Sequence, residues 1–136
     1  LVNVDIVDDA ETLATIADAS QNFVIACHFV EHSQDSIRTL GNMLRVLRPG
    51  GIHLFSIPND YPFPDQTEPR VRIENGQEIH VKPERYHNAG DGSKCLVYTD
   101  YGADVSDMIR SLGGRLAVVR RSIVEPAPPV TLCSSA

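Results

Sequence analysis

Two apolar strand-like runs separated by one helical repeat constrain the fold of this chain more than any other feature. Phe23 to Val30 is an apolar run interrupted only by His28, which predicts a strand buried on both faces. Ile52 to Ile57 predicts a second strand, closed by Pro58. Two such strands joined by a helix predict a parallel pair with a right-handed crossover.

The segment between these strands has the pattern of an amphipathic helix. Asp35 or Ser36 is suited to cap its first turn. Apolar residues then recur every three or four positions, at Ile37, Leu40, Leu44 and Leu47. Pro49-Gly50-Gly51 predicts the end of the helix.

Weaker signals flank this central unit. Val2 to Val7 alternates apolar and polar residues, which predicts a strand with one buried face. Residues 58–95 are rich in proline and polar residues, which predicts a long functional loop. Within and just after it, short strands are expected at three places: Val71 to Ile73, Ile79 to Val81 and Leu96 to Tyr98.

The C-terminal part repeats the helix-strand pattern. Val105, Met108, Ile109 and Leu112 form a second apolar stripe, ended by two glycines. Leu116 to Val124 then predicts a strand, and the tail from Val130 to Ala136 is either a last strand or disordered. The sequence therefore predicts one α/β domain over residues 1–136, in which 1–57 hold the central strands, 58–98 an insert and 99–136 the last helix and strands.

Charge and cysteine content exclude several classes of protein. The 136 residues have a net charge of −6, whereas surfaces that bind nucleic acid carry a basic patch, so we do not expect a nucleic-acid partner. No apolar run approaches the ~20 residues needed to span a bilayer. Three cysteines without short spacing argue against a disulfide framework, and we expect a cytoplasmic protein.

Polar residues gather where the predicted strands end. They occur at Asp8 to Glu11, His28 to His32 and Pro58 to Tyr61. Ligands of open α/β sheets bind at the carboxyl ends of the strands. The sequence therefore predicts a ligand site at this edge of the sheet.

Four short motifs in the stretch from Asp9 to Asn59 resemble one known family. Their sequences are Asp9-Ala10-Glu11-Thr12-Leu13, Phe29-Val30-Glu31-His32, Arg45-Val46-Leu47-Arg48-Pro49-Gly50-Gly51 and Ile57-Pro58-Asn59. In this order the motifs are similar to those of the class I S-adenosylmethionine-dependent methyltransferases, in particular the type 11 small-molecule group. The stretch from Tyr101 to Val124 resembles that family loosely. The resemblance implies a Rossmann-like sheet, mostly parallel, with a Pro-rich insert after the central strand-helix-strand unit.

The resemblance also implies roles for particular residues. Asp9 would accept a hydrogen bond from the adenine amino group of S-adenosylmethionine, and the backbone N–H of Ala10 would meet a ring nitrogen. The backbone of Cys27, His28 and Phe29 would line the cofactor. A small-molecule acceptor would lie under the insert, where Asn59, Tyr61 and His87 are the candidate contacts.

The sequence departs from the family in one major respect. The family opens with a strand and a Gly-x-Gly-x-Gly loop that wraps the methionine part of the cofactor. The paired glycines of this sequence, Gly50-Gly51 and Gly113-Gly114, follow predicted helices instead of opening them. We therefore expect a truncated methyltransferase domain in which turnover by these 136 residues is impaired.

Two alternatives stay open. The first is a non-catalytic scaffold that forms a homo-oligomer through an exposed sheet edge. The second is a divalent metal site formed by His28, Glu31 and His32, which the resemblance implies because some relatives carry Glu-x-x-Glu-His at this place and bind a divalent ion with it; His28 would replace the first Glu. His-x-x-Glu-His is also an inverted zinc-protease motif, so another form of this alternative is a metal-dependent hydrolase that uses His28 and His32. That protease needs both histidines on one long helix, whereas this motif straddles the end of a predicted strand and a turn. A metal-dependent hydrolase is accordingly the less favoured form of this alternative.

Overall fold

The structure is a computed structural model, and it describes residues 4–58, 62–89, 91–119 and 131–135. Two helices and a central sheet form the framework, and three two-stranded sheets lie within residues 68–100. The elements in chain order are β1 Gln21–Cys27, a short 3-10 helix Val30–His32, α1 Ser36–Arg45, β2 Leu47–Ser56, β3 Glu68–Pro69, β4 Val71–Glu74, β5 Gln77–His80, β6 Tyr86–Asn88, β7 Lys94–Leu96, β8 Thr99–Asp100, α2 Val105–Ser111, β9 Arg115–Val119 and β10 Thr131–Ser135.

The central sheet has the strand order β1-β2-β10-β9. β1 and β2 are parallel, with Cys27 beside Ser56 at their carboxyl ends, as predicted for the central unit. β10 runs antiparallel to both β2 and β9, so β9 has the direction of β1 and β2. Among the described strands, the predicted parallel pairing is therefore found only between β1 and β2. Residues 120–130 connect β9 to β10, and this connection is shorter than the dozen or more residues that a parallel crossover requires.

Helix α1 agrees with the prediction at its start and differs at its end. The Asp35 side chain accepts the Arg38 N–H at 2.9 Å and caps the first turn. Leu40 and Leu44 are buried as expected, whereas Ile37 is 44% exposed. The predicted stripe was wrong at its last member, because the helix ends at Arg45 and Leu47 already belongs to β2.

The Pro-Gly-Gly segment does not directly end the helix, contrary to the prediction. It lies within β2, where the pairing with β1 shifts register between Gln21 and Phe23. Gly50 has a φ of +80°, and a Cβ on Gly51 would lie 2.9 Å from the Arg48 carbonyl oxygen. The two glycines therefore allow a bend at the start of the strand. Residues with a Cβ would be strained in this backbone conformation.

The main core lies on one face of the sheet. Both helices pack there, and its buried members are Ala26, Val30, Leu40, Met43, Phe55, Ile57, Tyr101, Val105 and Ile109. The opposite face stays open, because Phe23 is 49%, Ile25 63% and Ile52 40% exposed. The prediction that the first apolar run is buried on both faces was therefore wrong. The apolar run reflects a sheet that has two apolar faces, of which the described residues cover one.

The predicted strand at Val2 to Val7 is wrong for the part that the structure describes. Residues 4–7 form no strand, and Val4, Ile6 and Val7 are 60%, 54% and 86% exposed. An alternating pattern forms a strand only when a neighbouring strand supplies hydrogen bonds, and no described strand pairs with this segment.

The predicted elements of the insert and C-terminal part are mostly present. β4 and β5 form a hairpin over the first two predicted short strands, while β7 begins two residues before the third. α2 ends before Gly113, as expected. β9 covers the start of the predicted strand from Leu116, whose residues after 119 lie outside the described part, and the tail forms β10. Within the described ranges, no helix is long and apolar enough to cross a membrane.

Candidate functional site

The carboxyl ends of β1 and β2 place the His28–His32 segment at the sheet edge. The His28 N–H donates to the Ser56 carbonyl oxygen at 3.0 Å and lies 3.2 Å from the Ser56 hydroxyl oxygen. His28 then has a φ of +48°, in the left-handed region that residues with a Cβ rarely adopt. This turn ends the strand and leads directly into the 3-10 helix Val30–His32.

Glu31 is buried among histidines. It is 0% exposed, and both carboxylate oxygens lack a hydrogen-bond partner in the described part of the chain. Its Oε1 lies 3.7 Å from His32 Nε2 and 3.4 Å from His87 Nδ1. His28 Nδ1 is 3.8 Å away, with a side chain that is 49% exposed. A buried carboxylate without donors is unusual, since burial strongly disfavours an unpaired charge.

His32 is held in a defined orientation. Its Nδ1 donates to the Leu96 carbonyl oxygen at 2.7 Å, because a carbonyl can only accept. In the neutral ring Nε2 therefore carries a lone pair, and this atom lies 3.2 Å from His87 Nδ1. Burial lowers the pKa of His87, an effect that the neighbouring Glu31 carboxylate partly offsets.

The metal set predicted from the sequence changes by one member. The described residues whose ligand atoms all lie within 4.8 Å of one another are Glu31, His32 and His87. His28 contacts Glu31 but is not in this group, and His87 takes its place. The sequence predicted His87 only as a contact of the small-molecule acceptor. Its position beside His32 was not predicted, because the two residues are 55 positions apart and the β6–β7 pair brings them together.

The predicted adenine residues lie on a turn beside this edge. The Asp9 carbonyl oxygen accepts the Thr12 and Leu13 N–H groups at 3.1 and 2.7 Å, and Asp9 Oδ1 accepts the Glu11 N–H at 2.8 Å. Asp9 Oδ2 has no hydrogen bond within the described residues. Asp8 is bound differently, because its Oδ2 accepts both the N–H and the hydroxyl of Thr15 at 2.7 Å. The Thr15 hydroxyl is the main reason that the pKa of Asp8 is lowered.

Helix α1 is hydrogen-bonded to this turn, a feature that the sequence did not reveal. The Arg45 guanidinium donates to the carbonyl oxygens of Thr12, Leu13 and Ile16 at 3.0–3.1 Å, and it also pairs with the Asp18 carboxylate. Glu11 Oε1 in turn accepts the Gln34 and Asp35 N–H groups at 2.5 and 3.1 Å, ahead of the helix. Residues 9–18, which we call the adenine-side loop, are thereby attached to both ends of α1.

Three neighbouring cavities surround Phe29. The first measures about 510 Å³ and is lined by His28, Phe29, His32, Pro58, His87, Asn88, Ala89 and Cys95; we call it the His87 cavity. The second measures about 390 Å³ and contains Asp9, Ala10 and His32. The third measures about 420 Å³, and its lining includes Ala10 and Cys27. We call the second and third the adenine-side cavities; Phe29 lines all three.

The structure thus gathers most of the predicted site residues. Asp9, Ala10, Cys27 and Phe29 line the adenine-side cavities, and His28 lines the His87 cavity with Phe29. Asn59 and Tyr61, the other predicted acceptor contacts, lie outside the described residues. Cavities of 300–1,000 Å³ are typical of small-molecule sites.

Comparisons with known proteins agree with the resemblance noted in the sequence. Residues 2–55 match a family model described as a methyltransferase domain, of the type 11 group. A "Probable S-adenosylmethionine-dependent methyltransferase" of Mycolicibacterium smegmatis is 26% identical over 114 residues, which are 81% of this chain and 44% of that protein. The chain therefore spans less than half of this curated relative.

Solved structures show the same fold. An S-adenosylmethionine-dependent methyltransferase from Mesorhizobium loti matches with a TM-score of 0.56 and 15% identity, over 93% of this chain and 66% of that one. The 1,6-didemethyltoxoflavin N1-methyltransferase of Burkholderia thailandensis, solved with 1,6-didemethyltoxoflavin and S-adenosylhomocysteine, matches with a TM-score of 0.55 and 11% identity, over 95% of this chain and 48% of that one. These matches confirm the Rossmann-like α/β class, and the family match confirms the methyltransferase resemblance.

Proposed function

We propose that this chain, which carries a methyltransferase-type sequence over residues 2–55, forms the adenine side and acceptor side of an S-adenosylmethionine-dependent methyl-transfer site. The observation that carries the proposal is the position of Phe29, where the adenine-side cavities meet the His87 cavity. Transfer between two ligands needs their reacting atoms side by side, and neighbouring cavities supply that arrangement.

The residues of the adenine-side loop suit the adenine end of the cofactor. Asp9 keeps Oδ2 available as an acceptor, because Oδ1 already holds the Glu11 N–H. The neighbouring cavity is largely apolar, with Leu13, Val24, Ala26 and Met43 in its lining, which suits an aromatic ring. The hydrogen bonds of Arg45 and Glu11 hold this loop in place, so Asp9 Oδ2 is positioned before any ligand binds.

The acceptor in this proposal is a small molecule in the His87 cavity. The Burkholderia thailandensis structure of this fold supports the choice of a small molecule, because it was solved with 1,6-didemethyltoxoflavin bound. Bound S-adenosylmethionine supplies an already activated methyl group. The protein's part is to align the acceptor, exclude water and accept a proton where one is released.

We also propose that these 136 residues hold the adenosine part of the cofactor much better than its methionine part. Among the described residues no Gly-x-Gly loop opens a helix, and glycine loops at helix starts are what cradle such ligands in related folds. The expected consequence is weak cofactor binding and slow turnover by this chain alone.

Calorimetry with three ligands tests both parts of the proposal. S-adenosylhomocysteine and 5′-methylthioadenosine, which lacks the amino-acid part, should bind this chain with dissociation constants within about threefold, or less than 1 kcal/mol. Methionine alone should not bind. Asp9→Asn should weaken both adenosine ligands roughly three- to tenfold, as expected for one hydrogen bond.

The control is Asp107→Asn, since Asp107 is an exposed residue of α2 that pairs with Arg110. It should leave both affinities unchanged. Failure of both adenosine ligands to bind at millimolar concentration would overturn the cofactor proposal and favour the non-catalytic scaffold. A preference of about 100-fold or more for S-adenosylhomocysteine, nearly 3 kcal/mol, would contradict the weak hold on the methionine part.

A further inference from the structure

We propose that Glu31, His32 and His87 bind a divalent transition-metal ion beside the methyl-transfer site. The first argument is the state of Glu31, whose carboxylate is fully buried without a hydrogen-bond donor in the described part of the chain. Folding would be strongly opposed by an ionised group in that position unless a positive charge accompanied it. A metal ion among these three side chains supplies the charge.

The distances among the three ligand atoms fit a metal centre. His32 Nε2 and His87 Nδ1 are 3.2 Å apart, and Glu31 Oε1 lies 3.7 Å from the first and 3.4 Å from the second. Two ligands that each lie about 2.0–2.2 Å from a tetrahedral zinc ion are separated by roughly 3.3–3.6 Å. The observed triangle has almost this size, so an ion fits with little movement of the side chains.

Hydrogen bonding prepares His32 for this role. Its Nδ1–H is committed to the Leu96 carbonyl oxygen, which leaves the Nε2 lone pair facing Glu31 and His87. A backbone carbonyl on the far nitrogen is a common way in which proteins orient a metal-binding histidine. The strand that supplies this carbonyl, β7, also pairs with β6 and so positions His87.

Without a metal ion, hydrogen bonds among Glu31, His32 and His87 leave part of the group without a partner. A single N–H between His87 and His32 would join the two rings but leave both Glu31 oxygens without a donor. His28 approaches Glu31 only to 3.8 Å and is half exposed, so it lies at the mouth of the cluster and not within it. A shared metal ion, in contrast, uses one lone pair from each of the three side chains.

The ligand chemistry indicates which ions fit. Two imidazoles and one carboxylate favour Zn²⁺, Co²⁺, Mn²⁺ or Fe²⁺ over Mg²⁺ and Ca²⁺, which prefer oxygen ligands alone. Three protein ligands leave a position for an outside donor, as in catalytic zinc sites. Because His32 and His87 also line the His87 cavity, that donor would be an oxygen or nitrogen atom of the acceptor; this last step rests on the proposed function.

A Co²⁺ titration tests the site without any assay of methyl transfer. Chelator-treated protein should bind one equivalent of Co²⁺ with a visible absorption band, and Zn²⁺ should displace it. Glu31→Gln, which keeps the side-chain shape, and His87→Ala should each raise the dissociation constant by more than about 100-fold, beyond the roughly 10- to 100-fold cost of changes outside the ligand set. Circular dichroism checks that both variants remain folded.

His80→Ala is the matched control, because His80 is an insert histidine outside the cluster and 33% exposed. It should leave Co²⁺ binding unchanged. The proposal is overturned if the wild-type protein binds less than one equivalent, or if neither Glu31→Gln nor His87→Ala weakens binding. Calorimetry with S-adenosylhomocysteine in the presence of chelator reports on the cofactor proposal separately, so failure of one proposal is distinguished from failure of the other.

Discussion

Acidification should destabilise this protein through one histidine outside the site, His53 in the middle of β2. Its side chain is 0% exposed, and neither ring nitrogen has a hydrogen-bond partner within the described residues. The ring stacks on Phe55 with centroids 4.8 Å apart. Burial lowers the pKa of His53 from 6.5 to about 4, because the interior offers nothing to stabilise the imidazolium.

The sign and size of the effect follow from this difference. Well above pH 6.5 the ring is neutral in both the folded and the unfolded state, so His53 contributes no pH dependence there. As the pH falls below 6.5 the unfolded state takes up a proton that the folded state refuses, and stability decreases by about 1.4 kcal/mol per pH unit. The loss at pH 4.5 amounts to roughly 2.5 kcal/mol, a large share of the 5–15 kcal/mol of a typical domain.

Urea denaturation at several pH values between 7.5 and 4.5 measures this loss. His53→Met replaces the ring with an apolar side chain that adapts to the space. We expect the stability of the variant to fall by roughly 2.5 kcal/mol less than that of the wild type over this range, since carboxylate titrations are common to both and cancel. His80→Met, at an exposed position, should retain the wild-type dependence. Parallel curves for wild type and His53→Met would refute the reasoning.

Two further changes test how the site is supported. Arg45→Met removes the hydrogen bonds to the adenine-side loop and should lower the free energy of unfolding by about 2–3 kcal/mol. Arg48→Met, at an exposed position, should change the free energy of unfolding by less than about 0.5 kcal/mol. Equal effects of the two variants in urea denaturation would contradict the proposed attachment. Gly102→Ala should cost about 1–3 kcal/mol, because its Cβ would lie 2.4 Å from the Gln66 carbonyl carbon. Gly41→Ala in α1, where the Cβ meets only Leu112 at 3.5 Å, should instead stabilise by up to about 1 kcal/mol, and thermal melts that rank the two variants otherwise would count against this packing.

The sequence predicted those features that depend on neighbouring residues. The helix cap, predicted at Asp35 or Ser36 and found at Asp35, and the buried Leu40 and Leu44 follow from local patterns. The strand end was predicted less well, because β1 ends at Cys27 and the predicted strand continues to Val30. The placement of His28 to His32 at a sheet edge needed only the rule that ligands bind where parallel strands end.

Features that depend on distant segments were not predictable in this way. His87 reaches Glu31 because β6 and β7 return the insert to the strand edge, and no local pattern encodes that return. The exposed face of β1 has the same origin, since an apolar run shows that a strand can be covered without showing what covers it. The contacts of Arg45 with the adenine-side loop were not predictable either, because three of its partners are backbone carbonyls that carry no sequence signature.

The position of β10 between β2 and β9 has a consequence for how the chain folds as it is synthesised. β2 emerges before β10, so one edge of β2 is paired only when residues 131–135 arrive. Contacts between such distant segments form slowly, because a long loop must close before they yield any stabilisation. Until then the edge of β2 can pair with strands of other molecules. A ribosome-stalled chain that ends before Thr131 should therefore be a better substrate for chaperones than one that includes Ser135.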